Sequence, residues 1–326
     1  MKIPFSVVIP LYNKKNCIRR TLDSILSQTY KNYEIVVVND GSTDGSEAII
    51  SDYIKKHDNI RLINQENAGV SAARNTGVKH AKHELICFLD SDDEWMPNFL
   101  NEMAELVNLF PENHLYSVRH EIIEKNGDTI FPDAYGEKGF KGLISDFITT
   151  YKESDGIIHS SAVCVRKPLF LKLGGFPVGQ TQGEDVYLWL LYGLHTDLVF
   201  SNTVCTRYYR DTENRSDQQI KSSTLPYQFV YFYSLINQQQ KNSNENVTLT
   251  IDANNRKKLR AYLQKNALLH IAGLKLNNKN KAALSHTKMI FTQDKLTGLL
   301  CFLLLSIPSK LLQAVKNLRD NGRNKI

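Results

Sequence analysis

Hydrophobic and polar positions alternate along the first hundred residues in a regular way. Phe5 to Pro10 is a short β-branched run closed by a proline, and Cys17, Ile18, Leu22, Ile25 and Leu26 then recur at helical spacing. Glu34 to Asp40 is a second apolar run, followed by Gly41-Ser42-Thr43-Asp44-Gly45 and a helix opened by Asp44-x-x-Glu47. Ile60 to Gln65 predicts a third strand, Val70 to His80 a short helix, and Leu85 to Leu89 a fourth strand. Strand and helix alternating in this way predict a parallel sheet with right-handed crossovers, whose ligand lies beyond the carboxyl ends of the strands. Pro10 to Tyr12, Asn39 to Asp40, Asn67 to Gly69 and Asp90 to Asp93 all fall at those ends.

The fourth strand delivers Asp90, Asp92 and Asp93 within four positions. Like charges this close disfavour one another's ionisation and call for a counter-charge, and a hard divalent cation such as Mg²⁺ or Mn²⁺ is one answer. A second reading stands beside it. Ser91-x-x-Glu94 also fits a capping box for a helix over about Pro97 to Leu109, where acids gather for the dipole alone.

Beyond residue 110 the pattern predicts strands at Tyr116 to Ile123 and Ser161 to Arg166, a turn at Asn126-Gly127, and a buried helix from Val186. Helical periodicity returns at about 252 to 276 and 279 to 291. The last apolar stretch, Leu299 to Ile307, ends at Pro308, too short for the roughly 20 residues that span a bilayer. The order predicts a domain over 1–216 and a helical region over 217–326.

Composition narrows the function. An apolar fraction of 42% and a charged fraction of 23% are those of a globular chain of 326 residues. Five widely spaced cysteines, without a Cys-x-x-Cys or a histidine cluster, fit a reduced cytosolic protein with no zinc site, and the opening residues do not read as a secretory signal. The net charge of +6 is concentrated in the tail: residues 295–326 carry six cations against Asp320 alone. No nucleic-acid partner follows from it. Apolar residues followed by Lys and Arg predict a segment lying on the cytoplasmic face of an anionic inner membrane, the alternative being a terminal helix packed on the 1–216 domain. The first turn, Pro10 to Lys15, has no Gly-x-Gly for a pyrophosphate, which excludes a nicotinamide dehydrogenase or a nucleotidyltransferase with a Gly-rich first turn.

Four motifs in order, Val7-Val8-Ile9-Pro10-Leu11-Tyr12-Asn13, Val37-Val38-Asn39-Asp40-Gly41-Ser42-Thr43-Asp44-Gly45, Asn67-Ala68-Gly69 through Arg74-Asn75-Thr76-Gly77, and Asp90-Ser91-Asp92-Asp93, resemble the family 2 glycosyltransferases with the GT-A fold, a Rossmann-like, mostly parallel sheet flanked by helices. The resemblance resumes at Gly174-Gly175-Phe176 and Gly183-Glu184-Asp185. It implies an inverting, metal-assisted transfer of a sugar from a nucleotide-diphosphate sugar, UDP being the commonest nucleotide, to a hydroxyl of a glycan or polyprenyl-linked acceptor in cell-surface polysaccharide synthesis. By position, Pro10 and Tyr12 would line the base pocket, Asp40 would bond the nucleobase, Arg74 would lie by the nucleotide, Asp90 would hold the ribose and Asp92 would ligate Mn²⁺ or Mg²⁺. Asp185 is similar to the proposed catalytic base, although a plain cap of its helix would look the same. Many relatives carry a histidine after the strand that ends here at Arg210. This chain does not, and Arg210 or Arg215 could take its place. His120 and His159 are candidates for acceptor contacts. The same residues in a chain without turnover would make a nucleotide-sugar-binding or scaffold subunit.

Overall fold

The computed structural model describes residues 3–211, 224–237 and 251–323. Arg215 and the expected domain boundary at 216/217 lie outside them. The chain divides into two compact units, 1–181 with 188–214, and 182–187 with 215–326.

In chain order the first unit contains β1 (Phe5–Leu11), α1 (Ile18–Leu26), β2 (Tyr33–Asp40), α2 (Ser46–Ile54), β3 (Ile60–Gln65), α3 (Val70–His80), β4 (Leu85–Phe88), β5 (Glu94–Trp95) and α4 (Phe99–Leu109). β6 (Leu115–Ile123), β7 (Thr129–Ile130), β8 (Lys141–Ile144), α5 (Phe147–Glu153), β9 (Val163–Arg166) and α6 (Lys167–Lys172) follow, then α7 (Glu184–Gly193), which the division after Tyr187 shares between the units, and β10 (Leu198–Tyr209). Among the described residues they form one ten-stranded sheet in the order β3-β2-β1-β4-β9-β6-β10-β5, with β7 added to β6 and β8 to β10.

The expected parallel core is present: β3, β2, β1 and β4 pair in parallel, so their carboxyl ends lie side by side along one edge. β9 and β5 join antiparallel to their neighbours. Every residue of β1 and β2 is buried, as strands covered on both faces must be. One face packs Phe5, Val7, Ile9 and Leu11 with Ile18, Leu22 and Ile25 of α1 and with Phe99, Met103 and Leu106 of α4. On the other, Val36 and Val38 pack against Ala73 of α3, and Phe88 meets the rings of Phe170 and Phe176.

Two local expectations are corrected. Pro10 does not stop β1, which runs on to Leu11. Leu89 N–H donates to Val8 O at 3.1 Å, so Val8, and Pro10 two residues on, turn their amide side toward β4. That ladder ends at Val8 and Phe88, so no partner there needs the N–H that proline lacks. The capping box does not form either. α4 starts at Phe99, with Asn98 as its cap and no side-chain cap bond, whereas Glu94-Trp95 pairs with Arg207 and Thr206 of β10. Capping therefore does not account for the acids at 90–93.

The second unit is helical: α8 (Tyr227–Asn237), α9 (Ala253–Leu276), α10 (Asn280–Gln293), α11 (Lys295–Ser306) and α12 (Ser309–Arg323). Asp252 and Asp294 cap α9 and α11 through the amides of Asn255 and Thr297. Pro308 ends α11 one residue beyond its C-cap, and the buried Lys275 ammonium donates to the carbonyls of Leu305, at 2.5 Å, and Ile307. One face of α11 is packed through Thr297, Gly298 and Cys301. The other exposes Leu296, Leu299 and Leu303, each by more than half. The helix is thus packed within the helical unit on one face and exposes leucines on the other.

Candidate active site

The loop after β1 is laced to the loop after β2. Asn13, at φ 51°, donates its N–H to Ser42 Oγ at 3.0 Å and accepts from Thr43 N–H through Oδ1 at 2.8 Å. Lys14 N–H donates to Ser46 Oγ at 3.1 Å, and Lys15 N–H to Asp44 Oδ2 at 2.8 Å. Pro10 is buried in the strand, and Tyr12 stands 45% exposed at its tip, an aromatic face that no packing requirement places there.

Asp40 ends β2 almost fully buried. Its Oδ1 accepts from Gln65 Nε2 at 2.7 Å and Ala68 N–H at 2.9 Å, and its Oδ2 from Gly69 N–H at 2.9 Å. It therefore clamps the 67–69 loop that opens α3, a duty that sequence reasoning missed. Gly69 sits at φ 88° in open space, so the backbone angle and not crowding asks for glycine there.

Arg74, on α3, is buried. It is therefore not a solvated surface charge. Its Nη2 donates to Asp90 Oδ1 at 2.7 Å, and its guanidinium carbon lies 4.9 Å from the centre of the Phe176 ring.

The three acids diverge. Asp90 faces Arg74. Asp92 Oδ2 lies 2.7 Å from Lys14 Nζ, and its backbone carbonyl accepts from Arg20 Nη2 at 2.7 Å. Asp93 turns inward, 1% exposed, where Oδ2 accepts from Ser161 Oγ at 2.5 Å and Oδ1 from Tyr209 N–H at 3.2 Å. Burial first, then the charges of Asp92 and Asp90, hold the Asp93 carboxyl well above the usual carboxylate range. Ser161 Oγ also accepts from Asp90 N–H at 3.1 Å, and Ser161 O accepts from Trp95 Nε1 at 2.7 Å, so one serine pins the whole turn. Like-charge crowding is relieved here by the arginine on Asp90, the lysine on Asp92 and the raised carboxyl of Asp93.

Among the described residues no group of three His, Cys, Asp or Glu is arranged to hold a metal ion. Mg²⁺ and Mn²⁺ commonly take one or two protein carboxylates and fill their shell from water and substrate phosphates. Asp92, a hard oxygen ligand at the strand edge, fits an ion that arrives with a diphosphate, and does not fit a protein cage.

The rings of His120 and His159 lie tilted with centroids 4.9 Å apart, and the Tyr208 ring lies 4.7 Å from that of His159. Desolvation, then Arg74 and Arg210, lower His159 to about 4. Desolvation, then His159, Arg119 and Arg210, push His120 well below 6.5, so both rings are neutral. Arg210 bonds Glu124 at 2.6 Å.

Asp185 is grouped with the second unit. It stands in the first turn of α7, and its Oδ1 accepts from Val186 N–H at 2.7 Å. Within that unit Gln182 O accepts from Tyr227 N–H at 2.9 Å, and a Cβ on Gly183 would fall 1.5 Å from Gln228 Oε1, so this segment lies flat on α8. Tyr187 packs edge-on to Tyr227 and Tyr231 at 5.0 and 4.7 Å. The structure thus sets Pro10, Tyr12, Asp40, Arg74, Asp90 and Asp92 along one edge of the sheet unit and carries Asp185 with the helical one. Lys14 and Ser161 are the members of the site that the sequence did not single out.

Comparison with known proteins follows the same outline. The family model described as Glycosyl transferase family 2 matches residues 6–169. Glycosyltransferase GlyA of Streptococcus pneumoniae is 36% identical over 205 residues, covering 60% of this chain and 29% of that protein. The uncharacterized glycosyltransferase RP339 of Rickettsia prowazekii is 30% identical over 200 residues, 61% of each. The chain thus spans less than two thirds of these relatives. The crystal structure of S. aureus TarS 1-349 in complex with UDP-GlcNAc matches with a TM-score of 0.69 at 19% identity, over 90% of this chain and 83% of that one, a likeness of fold.

Proposed function

The chain belongs to glycosyl transferase family 2, and from that premise we propose that it is an inverting glycosyltransferase, moving a sugar from a UDP-sugar to a hydroxyl of a glycan or polyprenyl-linked acceptor in cell-surface polysaccharide synthesis. The observation that carries the reading is the edge where four parallel strands end together, with an exposed Tyr12, a buried Arg74 paired with Asp90, and Asp92 paired with Lys14. TarS was solved with UDP-GlcNAc and with UDP, which makes UDP-sugars the first donors to test.

In this reading Tyr12 stacks on the base beside Pro10. Asp40 fixes the 67–69 loop and accepts the base imide N–H with its remaining lone pair. Asp90, oriented by Arg74 and Ser161, holds the ribose hydroxyls, and Asp92 holds Mn²⁺ or Mg²⁺. When bound, the ion supplies positive charge against the diphosphate as it departs. The acceptor oxygen attacks C1 of the sugar as Asp185 takes its proton. The bond from C1 to the phosphate oxygen breaks with its electron pair on the diphosphate, and C1 inverts. A positioned base typically contributes about 10²- to 10⁴-fold. Arg74 adds a fixed charge near the leaving group.

The test is a screen of UDP-sugars with Mn²⁺ for turnover. Asp185→Asn is expected to abolish transfer and retain UDP binding, and near-normal turnover in that variant would remove Asp185 as the base. UDP binding without turnover on any donor and acceptor would favour a binding subunit.

The helical unit fits a peripheral place on the cytoplasmic face of the inner membrane. Leu296, Leu299 and Leu303 line one exposed stripe of α11 between Lys295 and Lys310, and among the described residues no helix is long and apolar enough to cross a membrane. Replacing the three leucines by serine spares the packed face and is expected to abolish sedimentation with anionic vesicles. Unchanged sedimentation would refute the anchor.

A further inference from the structure

The backbone around Lys14 is fixed by the bonds of Asn13, Lys14 and Lys15 to the loop after β2, so the side chain alone carries the ammonium to Asp92. The two charges meet at 2.7 Å with side-chain exposures of 12% and 17%. An ion pair this far out of water has lost much of its solvent screening, and removing one partner leaves the other poorly solvated. Oδ2 of Asp92 is also an oxygen that a divalent ion would bind. Two cations on one carboxylate oxygen repel, so ammonium and metal exclude each other there.

We propose that Lys14 is a displaceable counter-ion: it holds Asp92 in the protein without nucleotide, keeps a divalent ion from binding alone, and passes to the diphosphate when nucleotide and metal arrive together. This inference rests on the reading of Asp92 as the metal ligand and deepens it. A diphosphate brings negative charge for the ammonium and phosphate oxygens for the ion, so the exchange leaves every charge paired. Metal and nucleotide then bind with positive coupling, and by linkage each raises the affinity for the other equally. The ammonium, brought onto the diphosphate, joins Arg74 in countering charge on the leaving group.

The experiment is titration of the full chain with Mn²⁺ alone, with UDP alone and with both, followed by calorimetry and by the paramagnetic signal of free Mn²⁺. In the native protein UDP is expected to tighten Mn²⁺ binding by about tenfold or more. Lys14→Gln is expected to bind Mn²⁺ alone about tenfold more tightly than the native chain and to bind UDP with Mn²⁺ about tenfold more weakly. Lys14→Arg should keep native exclusion of Mn²⁺, and adding Asp92→Asn to Lys14→Gln should abolish the gain. Equal Mn²⁺ affinity in native and Lys14→Gln protein, no Mn²⁺ binding by either, or undiminished UDP affinity overturns the inference. Lys14→Met, which also removes the ammonium, tests the same exclusion should Lys14→Gln not fold. None of these arms needs sugar transfer, so loss of the transfer reading and loss of the counter-ion reading are separately visible.

Discussion

Ser161→Ala is a sharp test of how the acidic turn is built. The substitution removes one oxygen that accepts from Asp90 N–H at 3.1 Å and donates to Asp93 Oδ2 at 2.5 Å, and it leaves the Ser161 carbonyl and its bond from Trp95 in place. Asp93 is 1% exposed, so water cannot replace the lost donor without the turn opening. A buried polar group left unsatisfied costs about 1–3 kcal/mol, and two groups are affected, for a total of about 2–6 kcal/mol. At about 2–4 °C per kcal/mol for a domain of this size, the melting temperature should fall by about 4–24 °C. The control is Thr206→Val, which removes a 3.3 Å bond to the same serine's carbonyl and should cost under about 1 kcal/mol. Urea unfolding measures both. UDP affinity should fall in Ser161→Ala, because Asp90 loses the anchor on its amide. Stability within about 0.5 kcal/mol of the native chain, the range of an ordinary surface substitution, would refute the argument.

Two further outcomes follow from packing and protonation. Gly77 on α3 lies against Val8, and a Cβ there would fall 2.3 Å from Val8 Cγ1. Gly77→Ala gains about 1 kcal/mol in helix propensity yet should lose about 1–3 kcal/mol net through overpacking, with partial recovery when Val8→Ala is added, as read from urea midpoints. His159 titrates at about 4 when folded against 6.5 for an unperturbed imidazole, so protons bind the unfolded chain more readily. Stability is therefore full above pH 6.5 and is lost as pH falls towards 4, by about 3 kcal/mol for this one ring at the lower limit. His159→Gln should flatten the profile, and a native chain equally stable at pH 7 and pH 5 would count against the neutral pair.

The parallel half of the sheet was legible because its signal is local. β2 is buried on both faces and centred on an apolar run, β3 is half-buried with polar Arg61, Asn64 and Gln65, and Asn, Asp and Gly mark the strand ends, so β2, β3 and α3 stand where the pattern puts them. The rest depends on partners distant in the chain. Pro10 continues β1 because β4 has already ended beside it. Glu94-Trp95 becomes a strand instead of a helix start because Thr206 and Arg207, more than a hundred residues away, offer an edge. A capping box is a statement about four residues, and it yields when a tertiary ladder competes for them.

The same division runs through the site. Composition shows three acids in four positions but not where each points, and the answer comes from Arg74, Lys14 and Ser161, which lie 16, 78 and 68 residues from their acids. Proximity in sequence suggested one cation shared by three carboxylates. In the structure the turn separates them, each with its own partner, and burial pushes the Asp93 carboxyl well up from the usual carboxylate range. In the proposed site Asp92 is already engaged by an ammonium, so in that reading the strong binder of the ion is the diphosphate itself. The affinity of this edge for metal should accordingly be a property of the nucleotide complex, and the residue that sets it is the lysine that no motif marks.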